Sequence, residues 1–191
     1  KPDFPEAHYN LGNILKDLGK EKEAEIAYRK AIEFKSNFPE AHSNLGNVLK
    51  DLGKLKEAEL SQRKAIELKP DSSEAYANLG DVLRNIGKLR QSWKAYQKSL
   101  ELDPKQIHHI SHIIYILSRL CIWDEIEKYS PYLNKIGIEG EPVGPLTLMY
   151  IEDNPLNHLK RAIRFSKEDK RNELPNIIFR KKNKINIGYF S

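Results

Sequence analysis

Apolar positions recur with helical spacing along the first hundred residues of the chain. In the first copy of the pattern they fall at Ala7, Leu11, Ile14, Leu15 and Leu18, and then at Ala24, Ala27, Tyr28, Ala31 and Ile32. Spacings of three and four residues place each set on one face of an α-helix, with polar residues on the other face. The pattern therefore predicts two short amphipathic helices within residues 5–38.

The same pair of helices is encoded three times. Residues 5–38 and 39–72 are identical at 24 of 34 positions, and residues 73–106 match the second copy at 14 of 34. A 34-residue period with Leu-Gly in its first half and Ala or Ser at fixed places in its second is typical of tetratricopeptide repeats. Such units bury their apolar faces only by stacking on one another. We therefore predict an all-α fold, a right-handed solenoid of helix pairs over residues 1–106, whose concave groove binds a protein or peptide.

Glycines punctuate each copy at two places. The glycines at positions 19, 53 and 87 are predicted to end the first helix in a left-handed turn, as Pro5 and Pro39 are predicted to begin it. A second set lies inside the first helix, at positions 12, 46 and 80, where glycine costs about 1 kcal/mol relative to alanine. We attribute these glycines to close approach of the second helix, with Ala24, Ala58 and Ser92 as the small residues facing them.

The repeat decays after residue 106. Residues 107–136 predict a degenerate fourth helical pair, whose second helix should be shortened, kinked or split by Pro131. Residues 137–183 predict a linker with one helix at about 154–168, and residues 184–191 alternate apolar and polar side chains as a strand does. Because this strand has no partner in the chain, we interpret it as the first strand of a missing domain. The opening on Lys1 at a repeat boundary is likewise interpreted as a cut from a longer protein.

Composition narrows the class of protein. Charged residues make up 31% and hydrophobic residues 39% of the 191 residues, and no apolar run reaches the length of a membrane span. The single cysteine, Cys121, excludes an internal disulfide framework and suits a reducing compartment, so we expect a cytoplasmic protein. Beside Ile122 and Trp123, Cys121 is expected in the core rather than as a nucleophile.

The net charge of +5 is concentrated near the end of the chain. Residues 160–184 contain ten Lys and Arg side chains against three acidic ones, whereas the repeats are close to balanced. A nucleic-acid site would be expected to interleave such charge with exposed aromatics or to lie on a known binding module, and neither is evident. We therefore interpret this segment as a solvated helix face and linker, and expect neither a nucleic acid nor a membrane as partner.

A polar stripe follows the first helix of every repeat, and it contains the candidate peptide-binding residues. These are Asn10, Asn44 and Asn78, followed three residues later by Asn13, Asn47 and Asp81. An asparagine side chain offers one acceptor and two donors, so a column of them suits the main chain of an extended peptide. Bonds to neighbouring repeats, or simple exposure to water, explain the same residues. A parallel basic column, Lys16, Lys50 and Arg84, suits acidic ligands or surface solubility.

The sequence offers little catalytic or metal chemistry. His108 and His112 are one helical turn apart, a spacing that can chelate zinc, and His109 lies between them. No third ligand follows at a defined spacing, so a packed or solvated histidine face is favoured over a metal site. The sequence has no Gly-rich phosphate loop, catalytic triad or convincing carboxylate pair. We predict no catalytic residue, metal or cofactor in this chain.

Several segments along the chain together carry a family resemblance. The Asn-Leu-Gly-Asn sequence at 10–13 and 44–47 and Leu-Cys-Ile-Trp-Asp at 120–124 resemble the repeats, and the segment after the last repeat, of SPINDLY-type protein O-GlcNAc transferases. Residues 145–162 resemble the intervening segment of that family. Residues 184–191, Lys-Ile-Asn-Ile-Gly-Tyr-Phe-Ser, are similar to the opening strand of its catalytic region.

The resemblance implies a specific parent protein. In that family an aspartate-phenylalanine pair and then a catalytically important histidine-proline follow the strand, beyond Ser191. The parent would transfer N-acetylglucosamine from UDP-GlcNAc, or fucose from GDP-fucose, to proteins, and this chain would recruit the polypeptide substrate without being catalytically competent. The resemblance also implies the peptide-gripping role for Asn10, Asn44 and Asn78.

A strictly uniform groove is not expected, since Ser36 replaces a proline and Asp81 an asparagine of the family pattern. The alternative function is a free-standing tetratricopeptide scaffold for protein–protein interaction. An unpaired strand edge also leaves self-association into a homo-oligomer open.

Overall fold

The protein was analysed as a computed structural model, which describes residues 4–133, 135, 136, 138, 157 and 160. The helices of this part are α1 Pro5–Asp17, α2 Glu21–Phe34, α3 Pro39–Asp51, α4 Leu55–Leu68, α5 Ser73–Ile86, α6 Leu89–Leu102, α7 His109–Arg119 and α8 Trp123–Ile126, followed by a 3-10 helix, Glu127–Tyr132. The described part is helical, which confirms the predicted fold class. The strand expected at 184–191 and most of the helix expected at 154–168 lie outside the described residues.

The helices stack in pairs along the chain. Within a repeat, α1 packs on α2, α3 on α4 and α5 on α6, and each second helix packs on the first helix of the next repeat. The core is continuous across these junctions, because Ala24 and Tyr28 of the first repeat lie in one cluster with Leu45 and Val48 of the second. This arrangement is the solenoid that the 34-residue period predicts.

The turn between the two helices of a repeat depends on a left-handed residue. Gly19, Gly53 and Gly87 have φ values of 70°, 75° and 87°, a conformation that glycine adopts without steric cost. In the first repeat the Gly19 and Lys20 amides donate to the carbonyls of Lys16 and Leu15, both at 2.9 Å, which closes the end of α1. The predicted helix ends are therefore observed, and each is followed within a few residues by the second helix.

The glycines inside the first helices do lie against the second helices, but the facing residues differ from those expected. A Cβ atom on Gly12 would lie 2.6 Å from the Tyr28 ring, one on Gly46 2.6 Å from the Gln62 amide, and one on Gly80 3.0 Å from the Tyr96 ring. The large side chain one turn beyond Ala24, Ala58 or Ser92 fills the space. Ser92 approaches as well, since its hydroxyl donates to the Gly80 carbonyl at 2.7 Å.

A shortened fourth unit follows the three repeats. Its first helix, α7, is strongly apolar and buries Ile110, Ile113, Ile114 and Leu117 against α6. Its second helix is reduced to one turn, α8, and continues as the 3-10 helix that contains Pro131. This division agrees with the expected effect of a proline without an amide proton in a helix.

Cys121 occupies the turn position of the fourth unit and corrects one expectation. It has a φ of 55°, so it keeps the left-handed turn that glycine makes in the other units. Its side chain is exposed, and the expectation of a core position was wrong. The apolar neighbours Ile122 and Trp123 suggested burial, but the left-handed turn directs position 121 to the surface.

The first helices line the inner side of the solenoid. Contacts join α1 to α3 and α3 to α5, and in the described part of the chain no contact of similar extent joins α2 to α4 or α4 to α6. Successive first helices are thus closer together than successive second helices, which makes the first-helix side concave. Within the same described residues, no helix is long and apolar enough to cross a membrane.

Candidate peptide-binding groove

The concave face contains two depressions, one on each side of α5. A cavity of about 110 Å³ lies between α3 and α5, where Tyr9, Ser43, Asn44 and Glu74 line it. A wider groove of about 590 Å³ lies between α5 and the start of α7, and Glu74, Asn78, Asp81 and His108 belong to its lining. Glu74 borders both depressions. The two depressions therefore flank α5, and each combines polar with apolar lining residues.

Two of the predicted asparagines, Asn44 and Asn78, line these depressions and also connect successive repeats. The Asn44 amide donates to the Tyr9 hydroxyl at 3.2 Å and to Asn13 Oδ1 at 2.9 Å. The Tyr28 hydroxyl donates to the same Asn13 oxygen at 2.8 Å, so Asn13 accepts from both its own second helix and the next repeat. Asn10 is exposed on the same helix. Asn13 and Asn44 thus form a bridge between the first two repeats, beside the cavity that Asn44 lines.

The later members of the column make equivalent bonds with different partners. Asn78 donates from its amide to the Ser43 hydroxyl at 3.2 Å, which joins the second and third repeats. Asn47 accepts from the Gln62 amide at 3.0 Å. Asp81 accepts from the Tyr96 hydroxyl at 2.8 Å. The Asn44 and Asn78 bonds therefore join successive repeats, whereas the Asn47 and Asp81 bonds join the two helices of one repeat. The binding of a peptide by the column stays a prediction.

Two tyrosines donate to Asn13 and Asp81 from positions inside the core. Tyr28 and Tyr96 are fully buried. Burial raises the pKa of Tyr28 to about 12 and raises that of Tyr96 further, with the Asp81 carboxylate adding to the second shift. Both phenols are neutral donors at physiological pH. The Tyr28 and Tyr96 hydroxyls therefore donate to Asn13 and Asp81 and hold these two side chains in one orientation.

The basic column, Lys16, Lys50 and Arg84, is half-buried along one edge of the face. Arg84 is engaged with Asp81 at 2.9 Å, whereas Lys50 approaches Asp51 at 3.7 Å. On the opposite edge, Glu6 is paired with Lys35 at 2.9 Å and Glu40 with Lys69 at 3.6 Å. The glutamates on this edge are therefore partly neutralised by lysines of the same chain. Exposed ion pairs of this kind contribute little to stability.

The histidines at the start of α7 form a packed cluster. His109 is buried, its ring lies 5.6 Å from that of Tyr96, and its Nδ1 is 3.3 Å from the Ser99 hydroxyl. Burial, followed by the neighbouring His108 and His112, lowers the pKa of His109 to about 4. Over the described residues, no group of three potential ligands is arranged to hold a metal ion. The burial of His109 agrees with the packed alternative of the packed or solvated histidine face that the sequence favoured.

Sequence reasoning missed several residues that line the two depressions. Tyr9 and Ser43 occupy the same position of successive repeats, and Ala77 occupies it in the third. Gln106 and Ile107 enter the wider groove from the connection before α7. Variation among the copies was not a sufficient signal, since the fully buried position of Tyr28, Gln62 and Tyr96 varies as well.

Comparison with known proteins agrees with the observed architecture. Residues 12–53 and 46–87 match the family described as TPR repeat, and residues 73–106 match the family described as Tetratricopeptide repeat. No curated protein matches the chain. The sequence match thus covers the part of the chain that contains the three repeats.

Solved structures share the fold at low identity. A crystal structure of MamA is 20% identical, with a TM-score of 0.66, over 87% of this chain and 83% of that one. MamA from Desulfovibrio magneticus RS-1 is 25% identical, with a TM-score of 0.61, over 70% of this chain and 74% of that one. The first TPR domain of Spaghetti (RPAP3), solved bound to an HSP90 peptide, is 25% identical, with a TM-score of 0.60, over 61% of this chain and 93% of that domain. The helix pairs, the repeat matches and these neighbours together identify residues 12–106 of the chain as a tetratricopeptide-repeat region.

Proposed function

We propose that the repeat region binds an extended polypeptide along the concave face formed by α1, α3 and α5. The observation behind the proposal is the pair of depressions that flank α5, bordered by Asn44, Asn78 and Glu74. Amide and carboxylate groups on this face offer donors and acceptors to a peptide backbone without demanding one side-chain sequence. The similar TPR domain of RPAP3 has been solved with a peptide ligand, which favours the same class of ligand here.

On this proposal the asparagine column both joins neighbouring repeats and binds the peptide. Asn44 uses its amide nitrogen for the bonds to Tyr9 and Asn13, and its carbonyl oxygen is the group offered to a peptide amide. The bonds between repeats hold the side chain in one rotamer before the ligand arrives. A ligand that binds a side chain already fixed in place loses less conformational entropy on binding.

The test begins with a library of phage-displayed 12-residue peptides selected on the purified chain. Dissociation constants of a selected peptide are then measured by fluorescence anisotropy for the wild type, Asn10→Ala and Asn78→Ala. Each substitution should weaken binding about fivefold, because a hydrogen bond is worth about 1 kcal/mol. Gln91→Ala is the matched control, since this exposed amide lies on α6 outside the groove. Equal affinities for all four proteins, with helicity unchanged by circular dichroism, would contradict the proposed groove.

The finer proposal is that this groove recruits substrates for a nucleotide-sugar-dependent protein O-glycosyltransferase. It rests on the resemblance of residues 120–124, 145–162 and 184–191 to the SPINDLY-type family, of which the last two segments lie almost entirely outside the described residues. The donor would be UDP-GlcNAc or GDP-fucose, bound by the catalytic region rather than by this chain. The test is the coding sequence beyond Ser191, where an aspartate-phenylalanine pair followed by histidine-proline is expected. Any other continuation would refute the glycosyltransferase assignment and leave peptide binding untouched.

The alternative is a free-standing scaffold in which the segment after α8 caps the repeats. The two proposals differ in what the last eight residues do. If residues 184–191 open a catalytic domain, their deletion from this chain should leave its thermal midpoint unchanged. A fall of several degrees would assign them to the fold of this chain and favour the scaffold.

A further inference from the structure

The second-helix side of the solenoid carries a further cavity, between α6 and the 3-10 helix at 127–132. Its volume is about 260 Å³, and its lining includes Gln97, Leu100, Glu101, Ile110, Tyr129 and Tyr132. Ile110 is 2% exposed, so the cavity reaches down to the core of the fourth unit. None of its described lining residues borders either depression of the concave face. This cavity, the outer pocket, is therefore a separate site.

An arginine bridges successive second helices in the earlier repeats. Arg29 of α2 donates to Glu57 of α4 at 2.6 Å. Arg63, the equivalent residue of α4, reaches Gln91 of α6 at 3.5 Å. These bridges lie on the outer side of the solenoid, because both partners belong to second helices. They occupy the place that the outer pocket takes at the next junction.

The bridge is missing where the outer pocket opens. The residue of α6 equivalent to Arg29 and Arg63 is Gln97, which has no guanidinium group and lines the pocket. The residue in the position of the acceptor is Glu125, and its carboxylate pairs instead with Lys128 at 2.7 Å. A shorter, uncharged side chain at this one junction thus leaves space between α6 and the fourth unit.

The size and the lining of the outer pocket suit one large apolar side chain. A cavity of about 150 Å³ holds benzene, and pockets for whole small molecules begin at about 300 Å³. The outer pocket, at about 260 Å³, lies between these limits. Leu100 and Ile110 offer aliphatic surface, and Tyr129 and Tyr132 offer aromatic surface, which favours an aromatic guest. The pocket therefore matches a side chain of about the size of phenylalanine.

Basic side chains follow α6 towards the outer pocket. Arg90, Lys94 and Lys98 are exposed and lie four residues apart, on one face of the helix. Lys98 is paired at 2.9 Å with Glu101, which lines the pocket. Arg90 and Lys94 form no ion pair with any described residue. Two unpaired cations beside an apolar pocket complement a ligand with carboxylates next to one apolar side chain.

The spacing along α6 defines the ligand further. Arg90 and Lys94 are about 6 Å apart along the helix axis, and Leu100 lies about 9 Å beyond Lys94. An extended chain advances about 3.3 Å per residue, so two acidic residues two positions apart and an apolar one three positions later fit these distances. We propose that the outer pocket binds a large apolar side chain of an acidic, extended segment of a partner protein, whose carboxylates pair with Arg90 and Lys94.

The probe is a synthetic peptide, Glu-Ser-Glu-Ser-Ser-Phe with blocked ends, titrated into the isotope-labelled chain of 191 residues. Amide chemical shifts should change on α6 and the 3-10 helix and should saturate. A peptide with Ala in place of Phe should bind at least about tenfold more weakly, because the apolar ring is what the pocket buries. A peptide with Gln in place of both Glu residues should bind about threefold more weakly, since exposed charge pairs contribute little each. Shifts confined to α1, α3 and α5 would overturn the outer pocket and leave the concave groove standing.

Gln97→Arg tests whether the pocket is the binding site without removing any core residue. The substitution restores the arginine of the earlier repeats, so it should fill the pocket and weaken the peptide at least about tenfold, as loss of the buried ring does. The thermal midpoint should be unchanged or higher. Unchanged affinity in a folded Gln97→Arg protein would overturn the proposal.

Lys94→Glu tests the role of charge and should weaken the peptide about threefold. Lys30→Glu is the matched control, because Lys30 is exposed on α2 without an ion pair in the described part of the chain and the net charge changes equally. Equal weakening by both substitutions would overturn the proposal by reducing the effect to net charge. Binding to phosphatidylserine vesicles that depends on Lys94, with no saturable peptide binding, would also overturn it by assigning these basic residues to a lipid surface.

Discussion

Gly46→Ala tests the close packing of the two helices of a repeat at one of its two tightest described contacts. The new Cβ would lie 2.6 Å from Gln62 Nε2 and 2.8 Å from its Cδ, so Gln62 has to move. Gln62 is fully buried, and its amide donates to the Ser43 carbonyl at 2.9 Å and to Asn47 at 3.0 Å. The substitution therefore sets a helix-propensity gain against a clash and two lost hydrogen bonds.

The magnitudes favour the loss. Alanine in place of a mid-helix glycine contributes about 1 kcal/mol of stability. Two hydrogen bonds at about 1 kcal/mol each, and overpacking at about 1–3 kcal/mol, act against it. We expect a net destabilisation of about 2–4 kcal/mol, measured as a lower midpoint of urea unfolding followed at 222 nm with an unchanged slope.

A double-substitution cycle separates the clash from other effects. In a Gln62→Ala background the space beside Gly46 is open, so Gly46→Ala should cost at least about 1 kcal/mol less there than in the wild type. Asn85→Ala, at an exposed position of α5, is the control for propensity alone and should be slightly stabilising. A Gly46→Ala protein more stable than the wild type by about 1 kcal/mol would refute the close approach of the helices.

Further predictions concern the fourth unit and the hydrogen bond between Tyr28 and Asn13. Cys121→Gly should raise the free energy of unfolding by about 1 kcal/mol, since glycine removes the cost of a left-handed φ; a lower thermal midpoint would contradict this. Because the pKa of His109 falls from 6.5 in the unfolded chain to about 4 in the folded one, its contribution is complete above about pH 6.5 and is lost as the pH falls towards 4. The urea midpoints at pH 7.5 and 4.5 should therefore differ less for His109→Phe than for the wild type. In the wild type, Asp81 and Asp103 partly offset the lowering of the His109 pKa by His108 and His112. Equal differences in the two proteins would show that His109 does not cause the loss of stability at low pH. Tyr28→Phe should cost about 1 kcal/mol through the lost bond to Asn13, and no change in the urea midpoint would place that bond outside the stabilising network.

The sequence alone was enough to predict the helix pairs, because they depend on local signals. The period of 34, the apolar spacing and the glycines at 19, 53 and 87 each depend on residues within one repeat. The shortened last helix also followed from a single residue, Pro131. Features of this kind are fixed by the conformational preferences of a few neighbouring residues.

The contacts between helices were harder to predict, since they depend on side-chain length and direction in three dimensions. The periodicity placed Ala24 and Gly12 on facing sides, but only the packed structure shows that the Tyr28 ring reaches over the glycine. Helical spacing placed the asparagine column on one helix face, whereas its bonds to Tyr9, Asn13 and Ser43 of neighbouring repeats depend on how the units stack. Cys121 was misassigned because apolar neighbours in sequence do not determine the direction of a turn residue.

The most direct test of the account is to map where a peptide binds. Amide chemical shifts of the isotope-labelled chain are recorded with increasing amounts of a peptide selected from the 12-residue library. If the concave face binds the peptide, the changes should concentrate on α1, α3 and α5, include the side-chain amides of Asn10, Asn44 and Asn78, and leave the exposed side of α2, α4 and α6 unaffected. Changes confined to the second helices, with the three asparagine amides unmoved, would contradict a peptide-binding concave face.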